Sequence, residues 1–321
     1  MSRVVVTGRI PQPGLDLLLE AGHDVSAWDH EGPMSRRELL QRVHGADALV
    51  TLLTEKVDAE LLDAAGPQLK VVSNVAVGYN NIDVAACARR GVVCTNTPGV
   101  LTEATADIAM GLVLMVTRRL SEGERVIRSN TPWQWGMFMM LGTGLQGRRL
   151  GIVGMGAIGA ATARRARAFG MEIAYTNRND ADPALVRELG AVRLPLGELL
   201  STSDVVSLHC PYSPATHHLV STPQLASMKQ TAFLVNTARG PVVDEAGLVA
   251  ALEDGRIAGA GLDVFEKEPE VHSGLLDRDD VVLIPHLGSA TIETRTAMAT
   301  LAARNSVAVL AGHPPVTPIG A

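Results

Sequence analysis

A glycine-rich turn in the middle of the chain constrains the fold more than any other feature. An apolar run suited to a buried strand ends at Val153, and Gly154, Gly156 and Gly159 follow with the spacing G-x-G-x-x-G. An alanine-rich stretch that favours a helix continues from Ala160. In this context the first glycine permits a tight turn, the second lets a diphosphate approach the backbone, and the third lets the helix pack on the strand. The helix start offers unpaired N–H groups and a positive dipole end, so we predict a dinucleotide site.

Length and composition set the class of protein. The 321 residues exceed one typical domain, and 46% hydrophobic against 19% charged residues suit a globular protein with a substantial core. A net charge of −6 without a Lys/Arg cluster excludes a nucleic-acid footprint. The longest apolar run, 108–117, is too short to span a bilayer. Three widely spaced cysteines indicate reduced thiols, so we expect a cytoplasmic protein. The charge and the short apolar run lead us to expect binding to neither nucleic acid nor membrane.

Short β runs alternate with amphipathic helices, which implies parallel sheets covered by helices on both faces. Before the glycine turn we predict strands at 4–7, 24–27, 48–52, 71–74 and 92–95. The helices between them are predicted at 14–21, 36–43, 59–65 and 82–90. From the turn onward we predict strands at 150–153, 172–176, 204–209, 232–236, 259–264 and 281–285.

The domain organisation depends on two further predicted helices. One long helix, 102–128, leaves the first half, and a final helix, 292–310, follows the last strand. We predict that the final helix returns to the N-terminal domain. The prediction is therefore two doubly wound α/β domains with parallel sheets. A Rossmann cofactor domain, 100–287, is inserted into a flavodoxin-like substrate domain formed by 1–99 and 288–321.

The end of the second strand after the glycine turn indicates which dinucleotide binds. An acid there would hold the adenine ribose 2′-OH, but this strand runs into Asn177, Arg178 and Asn179, with no acid before Asp180. A carboxylate repels a 2′-phosphate, whereas Arg178 is able to pair with one. We therefore favour NADPH over NADH. The alternatives are NADH and a purely solvated Arg178.

Ligands of open α/β sheets lie at the carboxyl ends of the strands, which selects candidate catalytic groups. His286 and His209 each end a predicted strand, and Arg239 follows another. Asp263 lies inside an apolar strand with Glu268 just after it, and a buried acid requires a partner. The adjacent histidines at 217–218 fall in a polar loop, where a solvated role is expected.

Several motifs now identify a resemblance to a known family. The runs are TARG at 237–240, AGAGLDVF at 258–265 with EP at 268–269, PHLGSAT at 285–291, VGYNNID at 77–83, TNTP at 95–98 and ATAD at 104–107. Together they closely resemble the D-isomer-specific 2-hydroxyacid dehydrogenases over nearly the whole chain. Within that family the combination is most similar to glyoxylate/hydroxypyruvate reductases.

The resemblance implies a role for each catalytic candidate. His286 would donate a proton to the substrate carbonyl oxygen, and Glu268 would orient and stabilise the imidazolium. Arg239 would hold the carboxylate of a small 2-oxo acid and polarise its carbonyl group. The backbone N–H groups of Val77 and Gly78 would complete the carboxylate site. No metal is implied, because no His/Cys/Asp cluster has ligand spacing.

The turn, the strand ends and the resemblance together give the expected cofactor contacts. Asp263 is expected to face the nicotinamide carboxamide. The full set is Thr105, Gly154, Gly156, Ala157, Ile158, Gly159, Asn177, Arg178, Asn179, Cys210, Pro211, Thr216, Thr237, Ala238, Asp263, His286 and Gly288.

Substrate identity and function class leave alternatives. The related reductases often carry an aromatic residue at the position of Met139, so the pocket here is suited to a different side chain. Another 2-hydroxyacid dehydrogenase branch, a formate dehydrogenase, a dinucleotide-sensing binding protein and a Rossmann methyltransferase remain the competing interpretations. The helix from Thr102 and the loop 133–140 lack an obvious partner within the chain, so we expect a homodimer through this region.

Overall fold

The chain divides into two compact units in the structure, a computed structural model that describes residues 1–320. One unit contains residues 1–101 and the chain from Ser289 onward, and the other is Thr102–Gly288.

The first unit is a five-stranded parallel sheet with the strand order β2-β1-β3-β4-β5, which is the flavodoxin-like order. Its strands are β1 (Arg3–Val6), β2 (Asp24–Ala27), β3 (Ala48–Thr51), β4 (Val71–Asn74) and β5 (Val93–Thr95). Its helices are α1 (Gln12–Glu20), α2 (Arg36–Arg42), α3 (Ala59–Ala65), α4 (Val84–Arg89) and, at the end of the chain, α13 (Ile292–Leu310).

Helices cover both faces of this sheet, because its central strands are apolar on both sides. Leu18 of α1 and Ala302 of α13 pack on one face, while Leu39 of α2 and Leu61 of α3 pack on the other. Gly14 permits the close contact between α1 and α13, since a Cβ there would lie 2.9 Å from the Ala299 Cβ.

The second unit is a seven-stranded parallel sheet with the order β12-β11-β10-β9-β6-β7-β8. Its strands are β6 (Arg149–Val153), β7 (Glu172–Thr176), β8 (Val192–Arg193), β9 (Val205–Leu208), β10 (Phe233–Asn236), β11 (Gly259–Leu262) and β12 (Val281–Leu283). Counted from β6, this is the Rossmann order with a seventh strand added at one edge. The fold-class prediction is confirmed. We did not predict β8, because its two residues are exposed and carry no apolar pattern.

The remaining helices belong to this unit. They are α5 (Thr102–Thr117), α6 (Leu120–Arg128), α7 (Ala157–Ala168), α8 (Pro183–Leu189), α9 (Leu196–Thr202), α10 (Thr222–Ser227), α11 (Glu245–Glu253) and α12 (Ser273–Leu276), with a short 3-10 turn at Gly240–Val242. Among the described residues, none of the helices is both long enough and apolar enough for a bilayer.

The prediction of one helix over 102–128 is wrong, because the helix breaks between α5 and α6. Arg119 adopts a left-handed backbone with φ of 54°. The carbonyl oxygen of Thr117 accepts a hydrogen bond from the N–H of Thr143 at 2.7 Å, so a distant segment uses a carbonyl at the end of α5. A Cβ at Gly142 would lie 2.5 Å from this oxygen, so only glycine permits the approach.

The expectation that this whole region lacks a partner within the chain also needs correction. α5 packs against α7, β10 and β11, and Leu112 and Val113 are buried in the core. In contrast, α6 buries no residue, and Trp135 and Phe138 in the following loop are 73% and 88% exposed. Between residues 102 and 140, the exposed apolar side chains are therefore concentrated in α6 and this loop.

Candidate active site

The glycine turn between β6 and α7 has the geometry that a diphosphate requires. Gly154 has φ of 101°, and a Cβ there would lie 2.7 Å from the backbone nitrogen of Cys210. A Cβ at Gly159 would lie 2.3 Å from the Gly154 carbonyl oxygen, so the third glycine lets α7 pack on the turn. The space around Gly156 is open. A side chain is therefore excluded by packing at two positions, and the third leaves room for a ligand at the backbone.

Unused polar groups lie at the carboxyl ends of strands in this sheet. Gly156 caps α7 without a side chain, and in residues 1–320 the N–H groups of Ala157 and Ile158 have no acceptor. The hydroxyl of Thr237 is buried without a hydrogen-bond partner. Helix N-terminal N–H groups bind phosphate oxygens, and a buried hydroxyl needs a partner, so these residues fit a dinucleotide.

The end of β7 presents the groups expected to select the dinucleotide. The Oδ1 atom of Asn177 accepts a hydrogen bond from the N–H of Met155 at 2.6 Å, which ties this strand end to the glycine turn. Arg178 and Asn179 are exposed. Arg193 of β8, which we did not predict, pairs with Asp180 and donates to the Asn177 carbonyl oxygen at 2.9 Å. A second arginine therefore lies beside this strand end and offsets its nearest acid.

Glu268 and His286 meet at the carboxyl edge of the same sheet. Their Oε2 and Nδ1 atoms lie 2.9 Å apart, and the side chains are 30% and 27% exposed. The Oε1 atom of Glu268 accepts a hydrogen bond from the Phe265 N–H at 3.0 Å. Burial alone would raise the pKa of Glu268, but the His286 ring, the Phe265 N–H and the Arg239 charge lower it below its usual value. Because the ionised carboxylate of Glu268 contacts Nδ1 of His286, the Nε2 atom is the one available to a reacting group.

Asp263 holds the backbone that carries His286. The His286 N–H donates to the Asp263 carbonyl oxygen at 2.9 Å. The Asp263 carboxylate is 1% exposed and accepts hydrogen bonds from the N–H groups of Leu287 at 2.5 Å and Gly288 at 2.8 Å. His286 has φ of 52°, a left-handed conformation that is uncommon for a residue with a Cβ atom. Thr105 donates to the Gly288 carbonyl oxygen at 3.0 Å. Sequence reasoning missed this positioning role of Asp263.

Arg239 lies between β10 and the 3-10 turn. Its Nη1 atom donates to the Ala238 carbonyl oxygen at 2.7 Å. Burial lowers the pKa of Arg239, and the charge of Glu268 opposes that shift, so the guanidinium remains a cation. A Cβ at Gly240 would lie 1.8 Å from the Phe265 carbonyl oxygen. Glycine there lets the segment after Arg239 contact the segment before Glu268.

Two other histidine predictions have different outcomes. Burial lowers the pKa of His209 to about 4, and its Nε2 atom lies 2.8 Å from the Ser207 hydroxyl. A neutral imidazole with no acid beside it is a poor proton donor at neutral pH. The expectation that His218 is merely solvated is wrong, because its Nε2 atom lies 2.6 Å from Glu266 Oε1. His217 is exposed.

The loop after β9 carries three of the expected cofactor contacts. Burial raises the pKa of Cys210 to about 11, so its thiol is protonated. Pro211 is exposed, and its carbonyl oxygen accepts a hydrogen bond from the Thr216 hydroxyl at 2.8 Å. Within residues 1–320 no group of three or more His, Cys, Asp or Glu side chains is placed to hold a metal ion.

In the first unit, the turn after β4 presents two N–H groups in a fixed direction. The Ala76 carbonyl oxygen accepts a hydrogen bond from the Thr97 N–H at 2.9 Å, and the Val77 carbonyl oxygen accepts one from Asn96 Nδ2 at 2.8 Å. Because a trans peptide points its N–H opposite its C=O, these bonds orient the N–H groups of Val77 and Gly78. Neither N–H has an acceptor in the described part of the chain. Such a pair is suited to a carboxylate.

A Rossmann sheet, a glycine-rich turn before a helix, and a carboxylate–imidazole pair beside an arginine are the features of a dinucleotide-dependent dehydrogenase. The profile of the family "D-isomer specific 2-hydroxyacid dehydrogenase, NAD binding domain" matches residues 110–288, more than half of the chain. A glyoxylate reductase of Thermococcus onnurineus is 49% identical, over 98% of this chain and 95% of the relative.

Solved structures agree with these matches. The NADPH-dependent glyoxylate/hydroxypyruvate reductase of Sinorhizobium meliloti, in complex with NADP and malonate, has a TM-score of 0.87 at 36% identity, covering 99% of this chain and 97% of its own. D-mandelate dehydrogenase of Rhodotorula graminis has a TM-score of 0.90 at 32% identity, covering 100% and 98%. The chain belongs to the D-isomer-specific 2-hydroxyacid dehydrogenase family, and it is an NAD(P)H-dependent dehydrogenase.

Proposed function

We propose that the protein reduces a small 2-oxo acid, glyoxylate or hydroxypyruvate, to the D-2-hydroxy acid with NADPH. The observation that carries the proposal is the contact of Glu268 with His286 Nδ1, 2.9 Å long, on the sheet that also carries the dinucleotide turn. The names of the Thermococcus and Sinorhizobium relatives support this substrate class. The unit Thr102–Gly288 is proposed to bind the cofactor.

The proposed mechanism assigns a task to each residue. When bound, the reduced nicotinamide supplies the hydride that reaches the carbonyl carbon. His286 donates the proton to the carbonyl oxygen from Nε2, because Nδ1 is occupied by Glu268. The ionised Glu268 stabilises the imidazolium before transfer and holds the ring afterwards. Arg239 polarises the carbonyl group and binds the carboxylate, and the N–H groups of Val77 and Gly78 are proposed to bind the carboxylate as well.

NADPH is proposed over NADH because of the charges beside β7. Arg178 is exposed at the strand end, and Asp180, the nearest acid, is paired with Arg193. A 2′-phosphate placed there would meet two arginines and one neutralised carboxylate. The NADP-bound Sinorhizobium relative supports this choice.

A second candidate is the reduction of a bulkier 2-oxo acid. Met139 replaces the aromatic residue common in related reductases, and a thioether adapts to varied side chains. The similarity to a D-mandelate dehydrogenase supports this alternative.

We also propose a cytoplasmic homodimer. The three cysteines are free thiols, as a reducing compartment favours. The exposed Trp135 and Phe138, beside a helix α6 without buried residues, offer an apolar surface to a second copy. Light scattering at micromolar protein concentration tests the dimer, and a monomer would contradict it.

The function is tested by an initial-rate panel of glyoxylate, hydroxypyruvate, pyruvate and phenylglyoxylate, each with NADPH and with NADH. We expect the highest kcat/KM for glyoxylate or hydroxypyruvate with NADPH. His286→Ala should lose turnover while still binding NADPH, and Arg239→Ala should chiefly raise the KM of the 2-oxo acid. Tight NADPH binding without oxidation by any of these acids would favour a dinucleotide-sensing role instead.

A further inference from the structure

Glu245 is a buried acid that the proposed mechanism does not use. It is the first residue of α11 and is 6% exposed. Its Oε1 atom accepts a hydrogen bond from the Glu266 N–H at 2.6 Å. In the opposite direction, the Glu245 N–H faces the Oε2 atom of Glu266 at 3.4 Å.

Both contacts lie at the start of one loop. The loop runs from Glu266 to His272, and Glu268 lies within it. An internal hydrogen bond from the Glu270 N–H to the Lys267 carbonyl oxygen, 2.9 Å long, closes a turn around Glu268. The Glu245 carboxylate therefore fixes the start of the segment that delivers Glu268 to His286.

The placement of this acid opposes its own ionisation. Burial raises the pKa of Glu245, the hydrogen bond from the Glu266 N–H lowers it, and the nearby Glu266 charge raises it further. The Glu266 carboxylate has a partner of its own, because the His218 Nε2 atom lies 2.6 Å from its Oε1 atom. Burying a carboxylate is unfavourable unless its hydrogen bonds are made, and here the bond to the Glu245 carboxylate holds the loop.

We propose that Glu245 is a positioning residue for the reaction: its carboxylate fixes the start of the Glu266–His272 loop and thereby sets the contact between Glu268 and His286. The proposal rests on the proposed function of that pair. A glutamine retains one acceptor oxygen and nearly the same shape, whereas an alanine retains neither. Glu245→Ala should therefore lower the activity more than Glu245→Gln.

The test compares Glu245→Ala and Glu245→Gln with Leu252→Ala, which removes a buried apolar side chain near the other end of the same helix. We expect Glu245→Ala to lower kcat about tenfold or more, with the KM of glyoxylate and the Kd of NADPH changed less than about twofold. Glu245→Gln should recover most of kcat. Leu252→Ala should lower Tm and keep kcat.

A second readout does not depend on turnover. Carbon-13 NMR of the Glu268 carboxyl group in the free protein should show its pKa rising in Glu245→Ala, because the carboxylate loses its hold on His286. Amide exchange at Glu266 should accelerate in the same variant. An unchanged Glu268 pKa, or a kcat equal to that of Leu252→Ala, would overturn the proposal. If the wild type proves inactive on every 2-oxo acid, the proposed function fails, and the NMR and exchange data still decide whether Glu245 holds the loop.

Discussion

Replacing Asp263 with asparagine should separate the positioning of His286 from the binding of the cofactor. The Asp263 carboxylate is 1% exposed and accepts N–H groups from Leu287 and Gly288. In Asp263→Asn the amide oxygen keeps one of these bonds, but the NH₂ group faces the other N–H. The loss of one charge-assisted bond costs about 1.5–3 kcal/mol, and the unpaired buried N–H adds about 1–3 kcal/mol.

The loop that carries His286 is expected to relieve this cost by moving. A left-handed backbone at a residue with a Cβ costs about 1–2 kcal/mol, so His286 leaves that conformation readily once its ties weaken. If about 3 kcal/mol of the penalty is relieved in this way, the fraction of molecules with His286 beside Glu268 falls roughly a hundredfold. We therefore expect kcat to fall about a hundredfold, with His286 and Glu268 both intact.

The assay measures kcat, the KM of glyoxylate and the Kd of NADPH for the wild type, Asp263→Asn and a control. Asp204→Asn is the matched control, because Asp204 also accepts a backbone N–H, from Arg149 at 2.8 Å, and lies just before β9. The control should lose stability and keep kcat. A kcat for Asp263→Asn within about threefold of the wild type would refute the reasoning. A weakened NADPH affinity with normal kcat would instead favour the expected contact with the nicotinamide carboxamide.

Three further predictions concern other parts of the molecule. Arg193→Met should lower kcat/KM for NADPH several-fold and leave kcat/KM for NADH unchanged, because Asp180 becomes an unpaired charge. Adding Asp180→Asn to the same chain should restore kcat/KM for NADPH. An unchanged kcat/KM for NADPH in Arg193→Met would contradict the proposed role of Arg193. Asn96→Ala should raise the KM of the 2-oxo acid about tenfold with little change in kcat, because the Val77 carbonyl oxygen loses the donor that orients the Gly78 N–H. The control is Gln68→Ala, which also removes an amide bonded to backbone carbonyls. His209 has a folded-state pKa of about 4. The unfolded chain takes up a proton there below about pH 6.5, so the wild type should lose up to about 3 kcal/mol of unfolding free energy as pH falls from about 6.5 to about 4. His209→Asn should remove that loss, as measured by urea unfolding across this range, and an equal pH dependence in both proteins would refute it.

The fold class was predictable from local sequence because every strand of the two sheets except β8 has its own apolar pattern. Buried parallel strands read as apolar runs, and the glycine turn marks the start of the Rossmann unit. The exceptions are elements whose cause lies elsewhere in the chain. β8 is a two-residue strand without an apolar pattern, and the end of α5 depends on the Thr143 N–H, which no window around Thr117 contains.

In the candidate site, the reacting groups were predictable from the sequence, and the groups that position them were not. Its reacting groups follow strand ends, so the rule for open sheets together with the family motifs selects Arg239, Glu268 and His286. The residues that position these groups have no comparable sequence pattern. Glu245 sits at a helix start, where an acid is expected for the dipole alone, and Arg193 belongs to a strand without a pattern. Their roles depend on contacts across roughly 15 to 25 positions of sequence, which only coordinates provide.

The supporting acids divide the task of holding the imidazole among three attachments. Asp263 fixes the backbone on both sides of His286, Glu268 fixes the ring through Nδ1, and Glu245 fixes the loop that carries Glu268. Because the left-handed conformation of His286 is unfavourable in isolation, each attachment has to oppose the same relaxation. Losses at neighbouring attachments should therefore be strongly non-additive: once one is removed and the ring has moved, removing a second costs little more. A double variant of Asp263→Asn and Glu245→Ala should accordingly show a kcat close to that of the less active single variant. If the two losses multiplied instead, the attachments would act on separate steps, and the shared-positioning argument would fail.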